Sequence, residues 1–349
     1  MVDAHTFIAG RMRILVLMDS ASGVSFHRLF TPYAAMQRDY DITVDVSQHP
    51  PTWINIDFTL YDVVVFNRWI SVAQYNIFEK LSELNIPTIC DVDDYWVVPK
   101  SNPAYRVYKQ MIKNATKDAI LNATHITCST TLLAEKVKEI NNNITILPNA
   151  LDLTQNQWTL PKTKNDKLTI GWVGGITHLE DLKRVGDAVK RFCQEYDAIF
   201  YMAGYHTESH EWQMCERTIT GEPITNRPEW FKTIRGTTPT DYGSSYSLFD
   251  FCIAPLQETN FNQYKSELKI VEAAVYNLPI IVSNVKPYTL HEGNKGVIFS
   301  ENTEQSWYDS LYRMAKLNIG ELNAEYCNVN HNLKAINQTR YELLKQLCK

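Results

Sequence analysis

Short, almost uninterrupted apolar runs recur along the chain, separated by longer stretches in which apolar residues return every three or four positions. An apolar run without alternation suits a strand buried on both faces, and the longer period suits a helix packed by one side. Together they predict parallel sheets with crossover helices. In the first half, strands are expected over residues 13–18, 42–46, 63–66, 88–91, 126–128 and 144–147. Between them Leu133, Val137 and Ile140 keep helical spacing, and residues 103–123 place Tyr108, Met111, Ile112, Ala115 and Ala119 on one face. Periodicity then vanishes over 151–166, which turns polar as a linker does. The alternation resumes with strands expected over 168–173, 198–203, 231–235, 251–254, 279–282 and 296–299, and helices over 304–317 and 332–349 end the pattern. The fold class is therefore α/β, with two Rossmann-like, doubly wound parallel-sheet domains at 12–150 and 167–330. Residues 1–11 read as an appendage rather than a signal peptide, and 331–349 as a terminal helix able to pack back on the first domain.

In such sheets ligands bind beyond the carboxyl ends of the strands. Four places qualify. After the first expected strand comes a small-residue loop, 19–25, with Gly23 and Ser25, followed by Arg28; its backbone N–H groups suit an anion or an acceptor sugar as well as a plain tight turn. Asp91, Asp93 and Asp94 follow the strand at 88–91, and three carboxylates so close together repel one another. An Asp-x-Asp pair holding a metal and a sugar diphosphate, acceptor positioning or proton handling by Asp93 and Asp94, and simple helix capping all compete, with the acceptor role favoured.

The third place is residues 170–182, where Gly174 and Gly175 end a strand and Thr177 with Glu180 has the spacing of a capping box. A helix opening there points its positive end at a phosphate, with His178 in its first turn as a hydrogen-bond donor. The fourth is residues 261–275. On a helix, Lys265, Lys269 and Glu272 form one stripe, and cations near a helix start want an anionic partner. Glu272 then suits ribose hydroxyls. A solvated Lys/Glu face is the bland alternative.

Composition narrows the classes. The 349 residues are 44% hydrophobic and 21% charged with a net charge of −5, which fits a folded chain of two domains and gives no global basic field for nucleic acid or anionic lipid. Seven scattered cysteines without a C-x-x-C pair read as reduced, buried thiols of a cytoplasmic protein, and no apolar run reaches membrane-spanning length.

The segment Lys265-Ser-Glu-Leu-Lys-Ile-Val-Glu272 before Asn277-Leu-Pro resembles the K-S-x-x-K-x-x-E subgroup of the family-four retaining glycosyltransferases. Further similar blocks are Ser22-Gly-Val-Ser-Phe-His-Arg28, Asp91-Val-Asp-Asp94, Cys128-Ser-Thr130, Ile146-Leu-Pro-Asn149 with Asp152, Gly171-Trp-Val-Gly-Gly with His178, and Asp250-Phe-Cys-Ile-Ala-Pro-Leu256. That resemblance implies a GT-B architecture, with an acceptor domain and a donor domain facing a cleft. It further implies a UDP- or GDP-sugar as co-substrate and neither cofactor nor metal. Carried over by position, Gly174, Gly175 and His178 line the diphosphate and sugar, Lys265 and Ser266 meet the phosphates with Lys269 beside them, and Glu272 holds the ribose. Catalysis is then expected from Asp93, Asp94, His178 and Lys265. The wider family carries Glu-x7-Glu, and Tyr264 stands at the place of its first glutamate. The acceptor is open among a glycan, a lipid-linked sugar, a small molecule, a protein and a modified DNA base, and so is the oligomeric state. The rival readings are a nucleotide-sugar 2-epimerase of the same architecture and a non-catalytic nucleotide- or sugar-binding protein.

Overall fold

The computed structural model describes residues 11–348 except 19–21, 49–52, 54, 69–76, 101, 103–104, 108 and 110–112. Parts of the expected first loop and of the expected 103–123 helix thus lie outside the described residues, as does nearly all of the 1–11 appendage. The chain divides into two units: Met1–Trp96, Val107–Pro148 and Leu333–Lys349 form one, and Val97–Arg106 with Asn149–Asn332 the other.

The first unit holds β1 (Met12–Leu17), β2 (Ile42–Ser47), β3 (Val63–Asn67), β4 (Thr88–Val92), β5 (His125–Cys128) and β6 (Ile144–Ile146) in the order β2-β1-β3-β4-β5-β6. All its pairings are parallel. β3 is buried at every position, as its unbroken apolar run requires. Ile14, Val16, Val63, Val65 and Ile89 pack with Leu29, Tyr33 and Met36 from the helical segments after β1, and with Leu343 and Leu344 of the Leu333–Leu347 helix. The chain's last helix therefore completes the core of its first unit.

The second unit holds β7 (Thr169–Val173), β8 (Ile199–Tyr205), β9 (Phe231–Arg235), β10 (Phe251–Ala254), β11 (Ile280–Ser283) and β12 (Val297–Ser300), ordered β12-β11-β10-β7-β8-β9 and again wholly parallel. Its strands send alternate residues to two apolar layers. Ile170, Trp172, Phe200, Met202, Ile253 and Ile281 meet the Gly186–Tyr196 and Glu304–Met314 helices through Val189, Phe192, Trp307 and Leu311. Val173, Ala203, Cys252, Ala254 and Val282 face Ile270, Val271, Ala273 and Ala274 of the Leu268–Val275 helix.

Each expected strand is present, with bounds within two residues of expectation. Two differences concern helices and the polar stretch. The Glu304–Met314 helix is followed by a separate one, Gly320–Asn330, that the sequence pattern does not announce. Residues 151–166 hold one short helical turn, Asn156–Trp158, and Leu151 and Trp158 are buried in the second unit's core. The cysteines are free, and burial pushes the thiols of Cys90, Cys128, Cys193 and Cys252 far up, which leaves them unreactive. Among the described residues no helix is long and apolar enough to cross a membrane.

Candidate functional site

In the second sheet the strand order reverses between β7 and β10: β7 continues to β8 on one side, and β10 to β11 on the other. Loops leaving two such neighbours part in opposite directions and leave a crevice at their carboxyl ends. From β7 the chain passes through Gly174 and Gly175 into a tight turn, Ile176–His178, and a single helical turn, Leu179–Leu182. From β10 it passes through Gln257, Thr259 and Phe261 into another tight turn, Asn262–Tyr264. The two loops are tied together by Asp181, which is 5% exposed. One of its oxygens accepts from the Gln257 backbone at 2.6 Å, and the other lies 2.7 Å from His178 Nδ1. Asn262 Nδ2 donates to the Gln257 carbonyl at 2.8 Å. The resulting pocket is lined by Thr177, His178, Asp181, Thr259, Asn262 and Lys265 among others. A broader cleft of about 560 Å³ opens beside it across Thr259, edged by Gln263, Asn284 and Lys286.

Asp181 sets the chemistry of His178. With Nδ1–H given to the carboxylate, Nε2 accepts a hydrogen bond in the neutral ring and donates one in the imidazolium. Gly174 and Gly175 differ in purpose. A Cβ on Gly174 would stand 2.4 Å from the Trp172 ring, so packing requires glycine there, whereas a Cβ on Gly175 would meet nothing within 4 Å. Only Gly175 therefore borders open space.

Two expectations are corrected. Thr177 and Glu180 form no capping box: neither Gly175 nor His178 makes a side-chain cap bond, Glu180 pairs with Lys183 at 2.6 Å, and the long helix begins only at Gly186. The positive end of a long helix is thus not what faces the pocket. Likewise the Leu268–Val275 helix starts after Lys265, whose backbone is extended at φ −65° and ψ 169°. Lys265 reaches the pocket from an irregular segment, and no stripe joins it to Lys269 and Glu272.

Lys269 and Glu272 belong to a different cluster. Glu272 is 1% exposed and accepts from Lys269 Nζ at 2.9 Å, from Tyr246 Oη at 2.5 Å and from Tyr242 Oη. Burial works against its ionisation, but Lys269 and the two hydroxyls outweigh it and hold the carboxyl below the usual glutamate value. Glu272→Ala is expected to cost about 1–3 kcal/mol of stability by stranding these donors. Calorimetry of nucleoside diphosphate binding by the same variant shows whether the cluster also serves a ligand. Ser266 Oγ accepts from Asn149 Nδ2 at 2.7 Å.

The first unit's own reversal lies between β1 and β3. Asp19 to Ala21 of the expected loop fall outside the described residues. Ser22 Oγ accepts from the Ser25 backbone at 3.3 Å, Ser25 is fully buried, and a Cβ on Gly23 would meet open space. Arg28, expected in an acceptor or phosphate loop, is instead a buried structural cation. Its Nε and Nη2 reach the two oxygens of Asp91 at 3.0 and 2.8 Å, and Nη1 donates to the Leu147 carbonyl at 2.7 Å.

Asp93 pairs with Arg68, which also donates to the Asp94 carbonyl at 3.1 Å. Burial pushes the Asp93 carboxyl up to about 6, more than Arg68 takes back. A carboxyl whose folded value lies above its unfolded one stabilises the fold at low pH and loses that contribution as pH rises through the folded value. Wild-type stability is therefore expected to fall by up to about 3 kcal/mol between pH 4 and 7 from this group, a dependence that Asp93→Asn removes. Thermal melts of both proteins across that window provide the check.

Sequence reasoning does not single out Asp181, Gln257, Thr259 or Asn262. Locally, His178 stands three residues before Asp181 and Asn262 five after Gln257, but the contacts that tie the two loops together join residues 76 and 81 positions apart.

Residues 167–316 match the family described as Glycosyl transferases group 1. The second unit thus carries a glycosyltransferase domain, and the pocket's lining from Thr177 to Lys265 lies within the matched residues. No curated protein matches the chain. Solved structures resemble it over nearly its whole length. A glycosyltransferase from Rickettsia africae ESF-5 aligns with TM-score 0.66 and 12% identity over 97% of this chain and 99% of its own. HepE of Anabaena, in complex with UDP and glucose, gives 0.68 and 13% over 96% and 100%. Sucrose-phosphate synthase from Thermosynechococcus elongatus gives 0.72 and 13% over 97% and 99%. At such identities the likeness establishes the fold, which is GT-B, with two Rossmann-like parallel sheets.

Proposed function

We propose that the chain is a retaining, metal-independent glycosyltransferase that takes a sugar from a UDP- or GDP-sugar bound at the β7/β10 reversal. The observation that carries this reading is the convergence of Lys265 and His178 on one pocket at that reversal. As the glycosidic bond to the diphosphate breaks, the sugar gains oxocarbenium character and negative charge builds on the departing phosphates. A group is catalytic to the extent that it meets this charge better in the transition state than before. Lys265 supplies a cation for the phosphates, Gly175 lets the backbone approach them, and His178, aligned by Asp181, turns Nε2 to a phosphate or to the sugar, donating to it in the imidazolium form. Lys269, Tyr242 and Glu272 brace the nucleoside. The broad cleft across Thr259 has room for the sugar. In the first unit Asp93 and Asp94 position the acceptor, with Asp93 as the proton acceptor, since a carboxyl of about 6 ionises near neutral pH.

Purified protein incubated with a panel of UDP- and GDP-sugars is expected to release nucleoside diphosphate, at a rate that chelators do not change. The anomeric configuration of the product, read by NMR, is expected to match that of the donor. An epimerised donor without transfer would point to the epimerase reading, and nucleotide binding without turnover to a binding protein. Absence of both release and binding would refute the proposal.

A further inference from the structure

Immediately after Lys265 the chain enters a buried polar circuit that the proposed reaction does not use. Glu267, 2% exposed, ends the irregular segment and starts the Leu268–Val275 helix. Its carboxylate lies between two imidazoles, 3.4 Å from His331 Nδ1 and 3.6 Å from His291 Nε2. His331, 7% exposed, also has Nδ1 at 3.0 Å from the Asn149 carbonyl. Asn149 in turn donates from Nδ2 to Ser266 Oγ at 2.7 Å, which brings the contacts back to the residue between Lys265 and Glu267; the step from Glu267 Oε1 to His331 is a contact of charge and not a hydrogen bond. His291 is braced from behind by Tyr326, with Nδ1 and Oη 3.2 Å apart.

This is an expensive arrangement to keep for packing alone. A carboxylate removed from water demands partners of good geometry, and an apolar trio of equal volume would be at least as stable. Burial opposes ionisation of Glu267, yet the histidines win and hold it below the ordinary value, while burial lowers His331 despite the carboxylate beside it. A fixed negative charge beside an ordered ring gives direction rather than strength. The direction is given to Ser266 and Glu267, and through them to the backbone of Lys265, which is extended and outside any helix. Where a long ammonium can reach depends on the backbone that carries it, and placement within a fraction of an ångström separates an effective phosphate contact from a weak one. The circuit also gathers Asn149 and His331, which stand at the two ends of the long segment that forms most of the second unit.

We infer that the circuit of Glu267, His331, Asn149 and Ser266 is a positioning device that fixes Lys265 for the donor diphosphate. The inference rests on the proposed role of Lys265, and its test separates the two.

Glu267→Gln keeps the shape and removes the charge. Hydrogen exchange is measured at the amides of Lys265 and Ile270, which donate to Asn262 O at 3.1 Å and Glu267 O at 2.8 Å, alongside the amides of the sheet. Binding of UDP and of GDP is measured by calorimetry, and kcat and KM for the donor wherever turnover is found. The expected result is at least tenfold faster exchange confined to this segment, about tenfold weaker binding of the preferred nucleotide, and a rise in KM larger than the fall in kcat. Glu267→Asp is expected to restore part of each. Asn149→Ala, which cuts the circuit away from the carboxylate, is expected to give the same pattern and decides the matter if Glu267→Gln fails to fold. Unchanged exchange at Lys265, or faster exchange spread evenly through the second unit, overturns the inference. If the wild type binds neither nucleotide, the donor reading fails while the exchange measurement still judges the positioning.

Discussion

Lys265→Ala is expected to lower kcat for release of nucleoside diphosphate by about 10²–10³-fold, the loss found when one preorganised donor to developing negative charge is removed. The side chain is half-buried at the pocket, with Nζ 4.9 Å over the Phe261 ring. Its backbone neighbours are held by other residues, so unfolding by urea is expected to change by less than about 1 kcal/mol. Lys265→Arg keeps the charge but not the point geometry and should recover only part of the rate. A rate within threefold of wild type for the alanine variant would remove Lys265 from the chemistry, and with it the main support for a diphosphate donor.

The second large effect is on stability. Arg28 and Asp91 are 3% and 2% exposed, bonded through two parallel contacts, and Asp91 also accepts from Thr127 Oγ1 at 2.6 Å. Asp91→Asn leaves the guanidinium buried without its counter-ion, a change that costs about 3–5 kcal/mol. Urea unfolding should show the loss in the transition that reports the first unit, with little change in the second. The contrast is Asp197→Asn, which breaks the exposed pair with Lys167. That change is expected to stay within about 0.5 kcal/mol, because water and salt already screen the pair.

The sheets were legible in the sequence because a strand buried on both faces must be apolar at nearly every position, and runs such as Val63–Asn67 have no other reading. The site was legible in its parts and not in its assembly. Lys265 and His178 stand out by residue type and by their place after strands. The helix on which Lys265 seemed to sit does not reach it, since nothing local in residues 261–267 marks a break: no proline or glycine interrupts the pattern. What accompanies the break is the fold of the whole loop: Asn262 is bonded to the Gln257 carbonyl five residues before it, and the Gln257 backbone to Asp181, 76 positions away. The same holds between Leu182 and Gly186, where apolar spacing continues although the helix does not. Arg28 misleads for a related reason. Its partner lies 63 positions away, so a buried ion pair has the same local signature as a cation waiting for a phosphate.

The placement of Leu343 and Leu344 against Ile14, Val16 and Val65 has a consequence for how the molecule assembles. The unit whose strands are made first cannot seal its interior until the Leu333–Leu347 helix has been synthesised. The other, apart from residues 97–106, is complete once residue 332 emerges. During synthesis the second unit can therefore mature while the first waits with an apolar surface uncovered. That interval is when the nascent protein is most exposed to aggregation and most in need of a chaperone.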